Sequence, residues 1–403
     1  MDNITHSIIG FGVGEVVHRS LPVEAEALTQ RVRHRLLLTA CALASNFPDL
    51  DLFLTRLLPD PLGYLLNHRG HTHTVLWAVP QALLLAALLC LCWPAARTLL
   101  RSSGAARLGL AISIGVGLAL HLLMDFTNSY GVHPWYPFDG RWLYGDMVFI
   151  IEPLFWVAIG VPMALIMRWR WLRMAGLLAL FAALLFFAAR GYLGWMSFVA
   201  LLLIAVACGA VQRRAGEQGR GGLLLALGVS VVFIAVQGVA SYAGRAQITA
   251  ELQRSDPASR VLDVAMTALP SQPLCWAYVS IESNGAQYRL RRGVASVAPA
   301  WLAAEDCPAG LREPTQMVSG SVQELRALRA ANCQVDAWLR FGRMPILRDG
   351  VLSDFRFATT PRGNFTSLPV AREAACPQGV PAWDYPRADL FGVRADNRTR
   401  AQP

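Results

Sequence analysis

His68-Arg69-Gly70-His71-Thr72-His73, followed at once by TVLWAVPQALLLAALLCLCW (74–93), decides how the chain reads. An apolar run of about 20 residues, wound as a helix, matches the ~30 Å hydrocarbon core of a bilayer. Working outward, runs of the same kind fill 108–125, 147–167, 171–189, 193–211 and 223–243, giving six long spans. Two shorter runs, 4–17 and 36–47, precede them; each is too short to cross alone, and together they predict a re-entrant or deeply inserted helical hairpin. Residues 1–20 do not read as a signal peptide, because polar Asp2, Asn3, Thr5 and His6 stand where a basic segment belongs. Of the 403 residues, 54% are hydrophobic and 16% charged, against about 25% charged in an average globular chain. That balance excludes an ordinary water-soluble enzyme, and the dominance of apolar runs excludes disorder, collagen and coiled coil.

The 36 basic residues are all Arg, and their placement sets direction. Arg19, Arg31, Arg33 and Arg35, then Arg97, Arg101 and Arg107, then Arg168, Arg170 and Arg173, then Arg213, Arg214 and Arg220 fall on one side. The other side has Arg56, Arg69, Arg141 and Arg190 before the tail. The positive-inside rule assigns the first set to the cytoplasm and the tail after residue 244 to the bacterial periplasm. The net charge of +9 is scattered along span edges, which fits membrane topology and not nucleic acid. The tail, with 19 Arg and 15 acidic residues, has the composition of a small soluble α+β domain. Alternation in 275–283 and 287–294 around Asn284-Gly285 predicts a hairpin, 322–331 a helix, and 338–347 with 351–357 around Asp349-Gly350 a second hairpin. Cys275, Cys307, Cys333 and Cys376 predict two disulfides in an oxidising compartment, with three pairings open. Cys41, Cys90, Cys92 and Cys208 lie in apolar runs and read as packing residues. The chain divides into 1–160, 161–244 and 245–403: a polytopic, mainly α membrane bundle, further spans, and the tail.

Charged groups beside a span are costly and mark function. The Arg-derived topology brings a set of them to the outer face. His6 opens the first short run; Asp49 and Asp51 follow the break at Pro48; His68, His71 and His73 precede 74–93; His121 and Asp125 close 108–125; Asp146 and Glu152 follow the next loop. His121 and Asp125 are i and i+4, so both project from one helix face, either to a metal ion or as a packing pair. Asp49 and Asp51 can serve cations or cap a helix. Three imidazoles within 68–73 point to metal. Arg69 can grip phosphate with its fork or snorkel at the interface. Imidazole and carboxylate without thiolate suit zinc first and manganese second, and this ligand inventory is too rich for one tetrahedral ion, which points to two or three.

These motifs occur in the order of the YdjM-type family of membrane-bound metal-dependent hydrolases, which the chain resembles over about 1–160. They are Asn3-Ile4-Thr5-His6-Ser7, Phe47-Pro48-Asp49-Leu50-Asp51, the 68–73 motif and His121-Leu122-Leu123-Met124-Asp125, with Gly131-Val132 and Trp135-Tyr136-Pro137-Phe138 following. The family pattern H-R-x-x-T-H falls on His68, Arg69, Thr72 and His73, and leaves His71 at a variable position. Residues 339–345 and 353–357 resemble a C-terminal segment of some members. The ligand types are also similar, more loosely, to those of zinc-dependent phospholipase C. The resemblance implies a hydrolase of the inner membrane acting on a lipid or lipid-linked phosphoester at the periplasmic face through metal-activated water. The expected ligands are His6, Asp49, Asp51, His68, His73, His121 and Asp125, with Arg69, Asp146 and Glu152 as catalytic candidates. A protein partner for the tail is also open. The competing readings are a metal-stabilised scaffold and a transporter; 171–189 and 193–211 carry almost no polar groups, which argues against a relay.

Overall fold

The computed structural model describes residues 1–308, 316–357, 364–370 and 375–392. Asp2 caps α1 (Asn3–Ser20) by accepting from Ile4 N and Thr5 N at 3.0 Å. α1 packs along α2 (Ala27–Ala44), and glycines set the closeness: a Cβ at Gly10 would lie 2.7 Å from Ala42 Cα, and one at Gly14 2.9 Å from Leu38 Cα. Each helix has 18 residues, about 27 Å, so the expected hairpin is longer than its apolar runs. The extra turns carry His18 and Arg33, buried between helices, where hydropathy is blind to them. A 3₁₀ segment, Phe47–Leu57, continues from α2 around Pro48 and leads to α3 (Leu62–Asn67).

α4 (Val75–Cys92), α5 (Pro94–Ser102) and α6 (Gly104–Phe126) follow, then α7 (Pro153–Leu165), α8 (Arg170–Ala189), α9 (Trp195–Ala215) and α10 (Gly221–Ser255). Among the described residues, six segments are long and apolar enough to cross a membrane: Ala27–Leu57, α4, α6, α8, α9 and α10. The run 147–167 is not among them. Glu152 caps and Pro153 opens a helix of 13 residues, while Met147 N and Val148 N bond Thr127 O outside any helix. α7 is a core helix, with Phe155, Val157, Ala158 and Ile159 buried. α4 and α8 instead leave Leu83, Leu91 and Leu178 exposed as lipid-facing surface. This is a multi-pass membrane protein. Antiparallel packing gathers the Arg-rich ends: Arg19 donates to Glu217 O and Gly219 O at 2.6 and 2.8 Å.

α10 runs through residue 244 unbroken, and its last turns, Ile248 and Leu252, pack on Met266 and Trp276 of the tail. There β1 (Arg260–Leu269), β2 (Gln272–Ser283), β3 (Gln287–Ser296) and β4 (Gln316–Ser321) form an antiparallel meander, joined at the expected Asn284-Gly285 turn. α11 (Val322–Ala331) and α12 (Cys333–Leu339) follow. A second sheet holds β5 (Pro345–Arg348), β6 (Val351–Asp354) and β7 (Leu368–Pro369), and α13 (Ala388–Phe391) ends the described chain. The Asp349-Gly350 hairpin is present, but 338–344 are not strand: Asn332 caps α12 through Gln334 N and Val335 N, and Trp338 is buried at its end. The disulfides are Cys275–Cys307 and Cys333–Cys376. Cys41 and Cys208 are buried, whereas Cys92 is exposed on α4.

The tail docks directly on the membrane helices. Trp383 Nε1 donates to Leu66 O at 2.9 Å, and Trp142 Nε1 to Arg340 O at 2.6 Å. Arg343 spans the joint, donating to both Asp146 oxygens at 2.9 and 2.8 Å and to Asp263 at 2.8 Å.

Candidate metal site

At the end of the bundle opposite the Arg clusters, four separated segments converge. Thr74 caps α4 by accepting from Trp77 N at 3.1 Å. The α-helix therefore starts only after the His tract, and residues 68–73 turn around Arg69, whose φ is 57°, into a 3₁₀ turn at His71–His73. Gly70 is required here, since a Cβ would stand 2.9 Å from Asn67 O. The turn aims His68 and His73 inward. His68 Nδ1 lies 3.0 Å from Asp51 Oδ1, and His73 Nδ1 3.1 Å from Asp51 Oδ2. Asp51 Oδ2 also accepts from Arg69 N at 2.9 Å and Thr72 Oγ1 at 2.7 Å, so one carboxylate holds the whole motif.

His121 and Asp125 project from one face of α6 as the i, i+4 spacing predicts. His121 Nδ1 donates to Ser45 O at 2.7 Å; a carbonyl only accepts, so Nε2 is left with its lone pair. His73 likewise turns Nδ1 to Asp51 and Thr72. The two Nε2 atoms then face each other at 3.0 Å. Two bare lone pairs at that distance would repel, so either one Nε2 carries a proton and donates to the other or a cation lies between them. Asp125 Oδ2 is 3.2 Å and Asp49 Oδ1 3.5 Å from His73 Nε2. Asp49 Oδ1 is 3.6 Å from His121 Nε2. His6 stacks on His121 at 4.2 Å and places Nε2 3.3 Å from Asp125 Oδ1, while its buried Nδ1 has no partner. The Met1 amino group also contacts Asp125. Burial opposes charge on His73, yet its hydrogen bonds to Asp125, Asp49 and Asp51 raise its pKa to about 10. With no other ion, a proton is what His73 holds among those carboxylates.

Among the described residues, two groups could hold a metal ion, Asp49–His73–His121–Asp125 and Asp49–Asp51–His68, and all six residues are buried. They share Asp49. Arg69 is buried beside them, with Nε 3.0 Å from Asp125 Oδ2, Nη1 2.9 Å from Asn128 Oδ1, and its guanidinium over the Tyr130 ring. A cavity of about 430 Å³ opens against Asp49, His68 and Arg69; Met266, Arg356, Phe357 and Phe365 of the tail line its other side.

His71 stays out of the cluster, with its ring 5.2 Å from Tyr136 and 5.0 Å from Trp383. The structure brings neither Asp146 nor Glu152 to the ligands. Asp146 borders the cavity, but its oxygens accept from Arg343 and from Arg245 at 2.6 Å. Glu152 accepts from Leu154 N at 3.1 Å, from Ser271 N at 3.0 Å and from the Ser271 hydroxyl. Both acids tie the bundle to the tail, through partners too distant in sequence to foresee. Asn128 and Tyr130, which position Arg69, were also not read from the sequence; their signal is an Asx turn just past α6, in which Asn128 Oδ1 accepts from Tyr130 N at 2.9 Å.

Residues 1–196 match the model of the YdjM inner membrane protein family. The chain is also similar to a Bacillus subtilis (strain 168) protein described as uncharacterized protein YfhP, at 26% identity over 158 residues. That match covers 39% of this chain and 44% of the relative, so the chain spans less than half of that protein's length. No solved structure matches.

Proposed function

We propose that this YdjM-type membrane protein is a metal-dependent hydrolase of a lipid or lipid-linked phosphoester, working on the periplasmic side of the inner membrane. The observation that carries the reading is the carboxylate of Asp49, common to two buried ligand groups. A carboxylate common to both ligand sets would let Asp49 serve two divalent ions. His73, His121, Asp125 and His6 would hold one ion, and Asp51 and His68 the other; zinc suits these donors first and manganese second. The facing Nε2 atoms and the unpartnered His6 Nδ1 fit such a cation. Divalent ions at this position supply Lewis acidity toward a phosphoryl oxygen and lower the pKa of water.

The chain's own groups do the rest. Ser45 O and Asp51 fix the imidazole tautomers, so that Nε2 points inward. Arg69, steadied by Asn128 and Tyr130, sets a guanidinium at the cavity floor, where it can offset charge growing on phosphate. The tail roofs the cavity and limits water. The Arg-rich ends lying opposite the site support this sidedness. The test is hydrolysis of phospholipid and nucleotide phosphoesters by purified protein, with reporter fusions at residue 403. Metal-dependent release of product together with a periplasmic reporter is the expected result. Bound metal without turnover of any phosphoester favours the scaffold reading, and a cytoplasmic C-terminus overturns the orientation.

A further inference from the structure

Beside the cavity at the metal cluster lies a second one of about 210 Å³, bounded by Phe149, Ile151, Pro153, Phe187, Leu193 and Pro270. No charged side chain lines it. Phe149 belongs to both walls, and the same two stretches, 148–153 and 266–270, run from one cavity to the other. Ile151 and Tyr192 at its margin are 38% and 50% exposed. It sits where α8 ends and α9 begins. Arg190, Tyr192 and Trp195, exposed there, are the residue types that mark a membrane–water boundary. A carbon-lined hole at that depth, one side chain away from a cation-seeking cluster, matches an amphiphile in both chemistry and order.

We infer that this cavity holds the hydrocarbon segment nearest the headgroup of a lipid phosphoester whose phosphate faces Asp49, His68 and Arg69, and that Phe149 selects for the bulk of that segment. The inference rests on the hydrolase reading for the phosphate end. The chain end stands on the cavity itself. Pro270 comes from the β1–β2 turn, which Ser271 fastens to Glu152. The tail domain therefore contributes to lipid selection, although it lies outside the part of the chain that matches the family.

The test uses full-length protein in phosphatidylcholine vesicles containing phosphatidic acid with a photoactivatable diazirine close to the glycerol ester. Labelled residues are mapped by peptide mass spectrometry, and metal content is measured on the same samples. Labels are expected within 149–153 and 187–193 and at Pro270, a residue of the tail and not of any span. Ile151→Trp, which fills the mouth, should cut those labels about tenfold, the discrimination a misfitting methylene or two produces. Near-isosteric Ile151→Val should keep them, which separates filling from misfolding. Labels confined to lipid-facing residues such as Leu83 and Leu178, or labels at Pro270 indifferent to Ile151→Trp, overturn the inference. Pocket labelling by protein that neither binds metal nor hydrolyses lipid would retain the chain site and remove the hydrolase reading. Hydrolysis with labels elsewhere does the reverse.

Discussion

Replacing Glu152 by Gln tests whether this acid is a catalytic base or a tie between bundle and tail. Its carboxyl is buried, and burial, the largest influence, raises its pKa from 4.5 to about 7 despite the hydrogen bonds from Ser271 and Leu154. A shift of that size corresponds to about 3 kcal/mol. The folded state binds the extra proton, so the stabilisation is complete below pH ~4.5 and is lost as pH rises through ~7. Gln stays neutral throughout, but its amide must face one of the Ser271 or Leu154 donors, which forfeits a hydrogen bond of about 1 kcal/mol. At pH 5 the variant should therefore be about 1 kcal/mol less stable than the parent, and at pH 8 about 2 kcal/mol more stable. Unfolding in detergent, followed through the buried Trp276 and Trp338 of the tail, reads the crossover. Parallel pH profiles for the two proteins would refute the burial argument. Loss of hydrolysis in a variant that keeps its fold and metal would show that Glu152 acts on the reacting atoms.

Arg343→Ala leaves Asp146 and Asp263 without their shared guanidinium; it should cost about 3–5 kcal/mol and expose the tail to limited proteolysis, and a tail that stays protected would contradict this. His73→Ala should lose metal and activity, while His71→Ala, packed on Trp383, should keep its metal; equal loss in both would place His71 among the ligands. Because His73 holds a proton among Asp49, Asp51 and Asp125, metal uptake by the wild-type protein at pH 7 should release protons into weakly buffered solution; uptake with no proton release would contradict that protonation. Peptide mapping under non-reducing conditions should recover Cys275 joined to Cys307 and Cys333 to Cys376, and reduction should destabilise the tail by about 2–5 kcal/mol; a crossed pairing would contradict the fold of the tail.

The residues that cluster at the candidate site were legible in the sequence because each is an expensive residue at the edge of an apolar run, and Arg placement alone put them on one face. His121 with Asp125 followed from helical spacing, and the hairpins at Asn284-Gly285 and Asp349-Gly350 from turn chemistry. Hydropathy failed at 147–152, where the Glu152–Pro153 cap and the bonds to Thr127 decide where helix begins. It also undercounted α1 and α2, whose polar ends are buried by neighbours and not by lipid. The roles of Asp146 and Glu152 depend on contacts across 197 and 119 residues, with Arg343 and Ser271, and the disulfides close over 32 and 43 residues. Local pattern carries no trace of such partners. Chemistry alone made His71 and His73 equivalent, and the family pattern set His71 at a variable position; the turn at Arg69 and the start of α4 after Thr74 turn His73 inward and leave His71 against Trp383.

The most direct measurement is the metal content of purified wild-type protein and of Asp49→Ala, by elemental mass spectrometry after exchange into metal-free buffer. Asp49 is the carboxylate that both ligand groups share. Wild-type protein should retain about two divalent transition ions per chain, and Asp49→Ala should lose the greater part of both together, because a bridge serves both ions. Wild-type protein with no bound transition ion, or an Asp49→Ala variant holding the full wild-type complement, would contradict the account.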